Sequence, residues 1–158
     1  SYGNGSDEEP HYDRSNPAGQ WLYFQSNRAG GSNYEIYGID PTEPEGFGNA
    51  PYRYTYNTAF DGYPASYPAA PGIISWTSDR HGNMEIMLLT GTAVKRLTNN
   101  SATDAHSSFS PDGKWIAFMS DRASNQFDIY RMDYEGGNLM RITFDDAPDL
   151  WPVYGDLP

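Results

Sequence analysis

Short apolar runs alternate with turn-forming residues along the whole chain, and no stretch keeps its apolar positions at a helical spacing. Residues 20–25, 72–77 and 115–119 are dense in aromatic and β-branched side chains and predict strands. A Gly- or Asn-containing turn follows each, and residues 34–39, 84–89 and 127–132 then predict returning strands. Second turns at 40–50, 91–92 and 135–137 lead to outer strands at 52–56, 93–98 and 139–143. In Ser110-Pro111-Asp112-Gly113-Lys114 the proline presets φ and the glycine takes the position where φ is positive, which predicts a tight turn.

The pattern repeats. Ser26-Asn27-Arg28, Ser78-Asp79-Arg80 and Ser120-Asp121-Arg122 each close an apolar run, and Glu35-Ile36, Glu85-Ile86 and Asp128-Ile129 follow five to seven residues later. The arginines are 52 and then 42 residues apart. A period near 40–45 residues built from short strands is the length of a four-stranded propeller blade. The predicted fold is all-β: about three four-stranded antiparallel β-propeller blades plus the first strand of a fourth, an incomplete ring in one chain. Residues 1–8 read as a flexible leader, 9–60, 61–103 and 104–148 as blades, and 149–158 as the start of a fourth blade or an exchanged strand.

These residues resemble the WD40-like propeller repeat of the TolB type, whose blade runs approximately D-x-x-P-x-W-S-P-D-G-K-x-I-A-F-x-S-D-R, a turn, D-I-Y, a Gly turn and a closing L-T. Residues 110–122, Asp128-Ile129-Tyr130, Gly136-Gly137 and Arg141-Ile142-Thr143 match nearly throughout. The second repeat keeps Ser78-Asp79-Arg80 and Arg96-Leu97-Thr98, and the first is read as lacking the closing L-T. The resemblance implies a periplasmic, secreted or surface-anchored protein and a ring of six or more blades. An open blade exposes sheet edges, so either missing propeller blades or other copies of the chain are expected to complete the ring.

Ten Lys and Arg stand against 21 Asp and Glu, a net charge of −11, which excludes nucleic acid as a partner. No membrane insertion is expected, since no apolar run approaches the roughly 20 residues a spanning helix needs. Protein or glycan partners fit better, since 13 Tyr supply rings that pack and hydroxyls that stay wet. The chain has no Cys, hence no disulfide and no thiolate metal site.

Arg28, Arg80 and Arg122 are expected to pair with Glu35, Glu85 and Asp128 across hairpins, as structural ion pairs that fix register. Recurrence in every blade assigns them to the scaffold. Glu9, Asp61, Asp104 and Asp149 stand two residues before His11, Tyr63, His106 and Trp151. The resembled fold implies that these sites lie beside the central channel. They read as an acidic, aromatic funnel for a cation or a basic peptide end, or as loop caps bonding backbone N–H groups. Asp145, Asp146 and Asp149 offer the oxygen ligands calcium takes, although their spacing matches no calcium loop. Asn4 and Asn99 begin glycosylation acceptor triplets.

No nucleophile elbow, zinc-protease motif or phosphate loop is present. The expectation is a non-catalytic extracytoplasmic module that binds or assembles through loops at the channel mouth. Two alternatives stand beside it: the scaffold part of a larger propeller hydrolase or lyase, and a structural subunit that polymerises through its unfinished blade.

Overall fold

The computed structural model describes residues 5–13, 15, 21–46, 48–123 and 126–155. They form three antiparallel sheets of four strands, each meandering in chain order. The first holds β1 (Asp7–Asp13), β2 (Trp21–Ser26), β3 (Glu35–Ile39) and β4 (Tyr52–Arg53). The second holds β5 (Asp61–Ser66), β6 (Ile73–Ser78), β7 (Glu85–Thr90) and β8 (Ala93–Arg96). The third holds β9 (Asp104–Phe109), β10 (Trp115–Ser120), β11 (Asp128–Asp133) and β12 (Met140–Arg141). Among the described residues no helix is long and apolar enough to cross a membrane.

Strand alternation sends side chains to both faces of each sheet, so the blades stack through two cores. Tyr23 and Ile36 of the first sheet meet Ile74, Trp76, Met87 and Leu89 of the second. On the other side Ala65, Ile86 and Leu88 meet Phe109, Ile116, Phe118, Tyr130 and Met132 of the third. The far side of the third sheet has no blade upon it. Leu97 of the second sheet is packed against the core, whereas its counterpart Ile142 in the third is 45% exposed.

Three boundaries differ from the sequence reading. β1 begins at Asp7, inside the segment read as a leader, because residues 7–13 pair with β2. The outer strands β4 and β12 are two residues each, shorter than predicted. A threonine hydroxyl ends them: Thr55, Thr98 and Thr143 each accept the N–H of Ile36, Ile86 and Ile129, at 2.9 Å in all three blades. A side chain thereby takes the ladder bond a longer strand would supply. The first repeat therefore does not lack the closing element, since Tyr54-Thr55 stands where Leu97-Thr98 and Ile142-Thr143 do. Finally, residues 149–155 form no ladder strand. They are held to the third sheet by Asp149 N–H on Phe127 O at 2.8 Å and Tyr154 N–H on Ser108 Oγ at 3.1 Å.

Candidate functional site: an aromatic mouth on a buried ion-pair frame

The predicted hairpin pairs are not the ones formed. Arg80 Nη2 reaches both oxygens of Asp61, at 2.9 and 2.8 Å, and Arg122 Nη2 does the same on Asp104 at 2.8 and 2.7 Å. Arg28 pairs with Asp7 at 2.7 Å and Glu45 at 2.8 Å. Glu35, Glu85 and Asp128 instead receive Arg53, Arg96 and Arg141 from the outer strands. The physical reason lies in the serine of each Ser-x-Arg. Ser26, Ser78 and Ser120 hydroxyls accept the arginine Nε–H at 3.1, 3.0 and 2.9 Å. That bond turns the guanidinium back toward the innermost strand and away from the hairpin.

The frame is buried on its acid side. Asp61 and Asp104 are fully enclosed. Asp61 also accepts Trp76 Nε1–H at 3.0 Å, and Asn57 and Asn100 side chains donate to Asp61 and Asp104. Burial works to raise the Glu85 carboxyl, but bonds from Thr98, Asn100 N–H, Arg96 and Asn83 outweigh it and hold it below its ordinary value. Asp61 and Asp104 are thus not ligands at a channel mouth. They are saturated structural anchors, which corrects the funnel reading at these two positions.

The mouth is made two residues further on. Glu9, Tyr63, His106 and Trp151 all have positive φ, between 51° and 54°. These are uncommon conformations for such residues. In β1, β5 and β9 they coincide with bulges, where the pairing register shifts. The preceding blade secures two of them: Gln25 Oε1 accepts Tyr63 N–H, and Thr77 Oγ1 accepts His106 N–H, both at 3.1 Å. This common geometry also resets the first blade's register. Asp7, not Glu9, is the equivalent of Asp61, Asp104 and Asp149, and Glu9 shares its backbone state with Tyr63, His106 and Trp151.

The bulged residues turn their side chains to one place. Tyr63 and His106 stack with ring centres 3.7 Å apart at 29°, and Trp151 meets His106 edge-on at 6.2 Å. Phe60 extends the row behind Tyr63 at 5.6 Å. Glu9, His11, Tyr63, His106 and Trp151 border a groove of about 470 Å³. A second hollow continues past Tyr12 and Tyr154. Burial lowers the His106 imidazole below its ordinary value, so it is neutral at pH 7. Burial, with Glu9 and Glu8 nearby, raises the Tyr63 hydroxyl. His11 Nε2 lies 3.2 Å from Ser66 Oγ, tying the first blade to the second. The structure therefore assembles Glu9, His11, Tyr63, His106 and Trp151, and separates them from Asp61 and Asp104.

The remaining candidates lie elsewhere. Among the described residues no group of three His, Asp or Glu side chains is placed to hold a metal ion. Asp145 accepts Ala147 N–H at 2.8 Å, the turn bond that Asn57 and Asn100 make to Ala59 and Ala102. Asp146 is exposed, and one Asp149 oxygen, Oδ2, is buried without a hydrogen-bond partner. Asn99 is exposed, and Asn4 lies outside the described residues. The sequence reading missed Asp7, Arg53, Arg96 and Arg141. The signal was the threefold Arg-x-Thr at 53–55, 96–98 and 141–143, which marks both the ion-pair donor and the strand-ending hydroxyl.

Comparison with known proteins agrees with this architecture. Residues 57–155 match the family described as the TolB beta propeller domain. The fold is similar to that of a putative TolB from Agrobacterium tumefaciens, with a TM-score of 0.73 and 22% identity, over 84% of this chain and 45% of that one. TolB from Acinetobacter baumannii superposes at a TM-score of 0.63 and 24% identity, over 90% of this chain and 33% of that one. A chain of a nidogen/laminin complex matches at 0.64 and 13% identity, over 87% and 48%. The chain spans less than half the length of each of these solved structures.

Proposed function

Because this chain belongs to the TolB beta propeller domain family, we propose that it is a non-catalytic extracytoplasmic module that binds a segment of a partner protein at the aromatic mouth. One observation carries the reading. The backbone state at Glu9, Tyr63, His106 and Trp151 repeats, while the side chain differs in every repeat. A purely structural position keeps both, as the Asp–Arg frame does. Holding a bulky residue at positive φ costs on the order of 1–3 kcal/mol, and such strain gathers at binding sites. The outcome is a row of rings with an exposed indole at its end and a carboxylate at its other side. Tyr and Trp anchors of this kind dominate binding energies at protein interfaces. Glu9 and the net charge of −11 favour a neutral or basic segment over an acidic one. Placement outside the cytoplasm follows the family resemblance, and fractionation of cells making the tagged chain tests it.

Tryptophan emission tests the binding. Trp151 is 63% exposed and Trp76 is fully buried, so a ligand at the mouth acts on the red-shifted part of the emission. Lys- and Arg-containing peptides are expected to shift and quench it, and Trp151→Ala to abolish their binding, read by calorimetry, without lowering thermal stability. A response to neutral oligosaccharides alone would move the assignment to glycans. Binding that survives Trp151→Ala would remove the site from the mouth.

A further inference from the structure

The chain receives its own arginines in one recurring way. Arg28, Arg53, Arg80, Arg122 and Arg141 each lie over an aromatic ring, with the guanidinium carbon 4.6 to 5.5 Å from the ring centre. Each also donates to a carboxylate, at 2.7 to 2.9 Å. The lysines are held differently. Lys95 and Lys114 reach the exposed Glu135 and Asp112 at 2.9 and 3.0 Å. Among the described residues every cation–ring contact is made by arginine. The split has a physical cause. A guanidinium is flat and weakly hydrated, so its face stacks on a ring while its edge N–H groups meet a carboxylate; an ammonium is compact and strongly hydrated.

The mouth holds the same pair of groups, a ring and a carboxylate, at its inner end. β1 packs on β5 and β5 on β9, so the bulged neighbour of Glu9 is Tyr63. Tyr63 is fixed from the first blade. The buried Gln25 accepts Tyr63 N–H at 3.1 Å and donates its amide to Glu8 at 3.2 Å. Ser6 and Tyr34 hydroxyls also donate to Glu8, each at 2.7 Å. Glu8 is thereby occupied in orienting the amide that holds the Tyr63 backbone. Glu9 is exposed, and no described residue bonds its carboxylate. Burial first, and then the charge of Glu9 ahead of that of Glu8, raises the Tyr63 hydroxyl, so Glu9 acts on the ring at close range. Among the described residues no Lys or Arg lines the hollow, and Glu9 is its one carboxylate.

We propose that the group bound at this end of the mouth is an arginine side chain of the partner segment, its guanidinium against the Tyr63 ring and its edge N–H groups on Glu9. The inference rests on the reading of the mouth as a protein-binding site, and narrows its ligand from a basic segment to one that presents an arginine. His106 covers Tyr63 from the β9 side at 3.7 Å. The β1 side, where Glu9 stands and Phe60 borders the ring at 5.6 Å, receives the guanidinium. Charge complementarity sets the sign of the ligand, and the ring beside the carboxylate sets its shape. The arginine leaves His106 and Trp151 to the rest of the segment.

Acetyl-Gly-Arg-Gly-amide and its lysine and citrulline counterparts test it, titrated into the 158-residue chain and followed by NMR at the His106 imidazole and the Trp151 indole N–H. Citrulline keeps the flat shape and loses the charge; lysine keeps the charge and loses the plane. The net charge of −11 attracts both cationic peptides alike, so the margin between them reports the site. The arginine peptide is expected to bind severalfold more tightly than the lysine peptide, with citrulline weakest. Glu9→Gln removes a charge that holds nothing in the fold, and is expected to bring arginine down to citrulline without changing the melting temperature. Tyr63→Leu is expected to erase the margin of arginine over lysine, with circular dichroism checking that the sheets persist. Equal affinity for the three peptides overturns the arginine assignment and leaves the protein-binding reading standing. An arginine margin that survives Glu9→Gln does the same. Peptides that shift neither resonance also overturn the assignment, and the reading of the mouth then stands or falls on the calorimetry of longer peptides against Trp151→Ala.

Discussion

Arg122 rests one guanidinium nitrogen across both carboxylate oxygens of Asp104, from the end of β10 to the start of β9. The acid is fully buried and the arginine side chain is 18% exposed. Ser120 fixes the guanidinium from below and Asn100 completes the carboxylate. The pair thus clamps the entry of the innermost strand to the end of its neighbour.

Arg122→Ala leaves a buried carboxylate without its cation. Breaking a buried pair in this way costs about 3–5 kcal/mol. Urea denaturation should show a loss of that size, and the double variant with Asp104→Asn should recover much of it. A loss under about 1 kcal/mol would mean that water reaches Asp104 and that the clamp is a surface pair.

Trp76 combines packing with a bond to the same frame. It is fully buried between the first and second sheets and donates to Asp61. Trp76→Phe keeps a ring but removes the donor to a charged acceptor, a contribution of about 1.5–3 kcal/mol. Trp76→Ala adds a cavity and should cost about 3–5 kcal/mol. Denaturation midpoints ordered wild type, Phe, Ala would agree; equal Phe and wild-type values would show that Arg80 and Asn57 satisfy Asp61 alone.

His106 gives the fold a pH response. Its folded value is below the ordinary 6.5 because burial opposes the charged ring. Above about pH 6.5 both states are neutral and the histidine adds no slope. As pH falls below that, the unfolded chain takes the proton first, so stability declines until the lower folded value is passed. The difference in melting temperature between wild type and His106→Asn should therefore change across this acid window and stay level above it. A difference independent of pH would show that His106 is protonated as easily in the fold as out of it.

Gly113 has φ +70°, and a Cβ there would press on the Tyr67 ring. Beside it the Asp112 carboxyl is held down to about 2 by Ser110, by the Lys114 side chain and by Lys114 N–H. Gly113→Ala should cost about 1–3 kcal/mol from the backbone state alone. Gly82 has φ +100° and open space around it, so Gly82→Ala isolates the conformational part. Thermal melts of the two variants should place Gly113→Ala lower.

The nine middle and outer strands were legible because each is coded locally, whereas the innermost β1, β5 and β9 were implied only by the four-stranded blade. Apolar runs such as 115–119 and turns such as 110–114 need no distant partner to be recognised. The mouth was legible in part. Tyr63, His106 and Trp151 stood out as aromatic residues following an acid, but Glu9 was assigned to the acids because Asp7 seemed to belong to a leader. The bulge that places Glu9 with the rings is a feature of strand pairing, and a one-dimensional pattern does not show where a ladder shifts by a residue.

The sequence by itself determined the blade as a unit: its length, its four strands, its turns and the recurrence of an Arg, an acid and a Thr in each. Those are set by short-range propensity and by a period that any copy of the unit repeats. Only the tertiary structure decided which arginine meets which acid. Arg80 passes over Glu85, five residues away, for Asp61, 19 residues away, and Glu85 takes Arg96. Proximity along the chain loses to direction in space, because Ser78 orients the guanidinium and the sheet fixes which strand edge it faces. The same holds for Asp149, which stands in the register of Asp61 and Asp104 but has Asp145 where they have Asn57 and Asn100. Only the structure shows that its Oδ2 is buried without a hydrogen-bond partner.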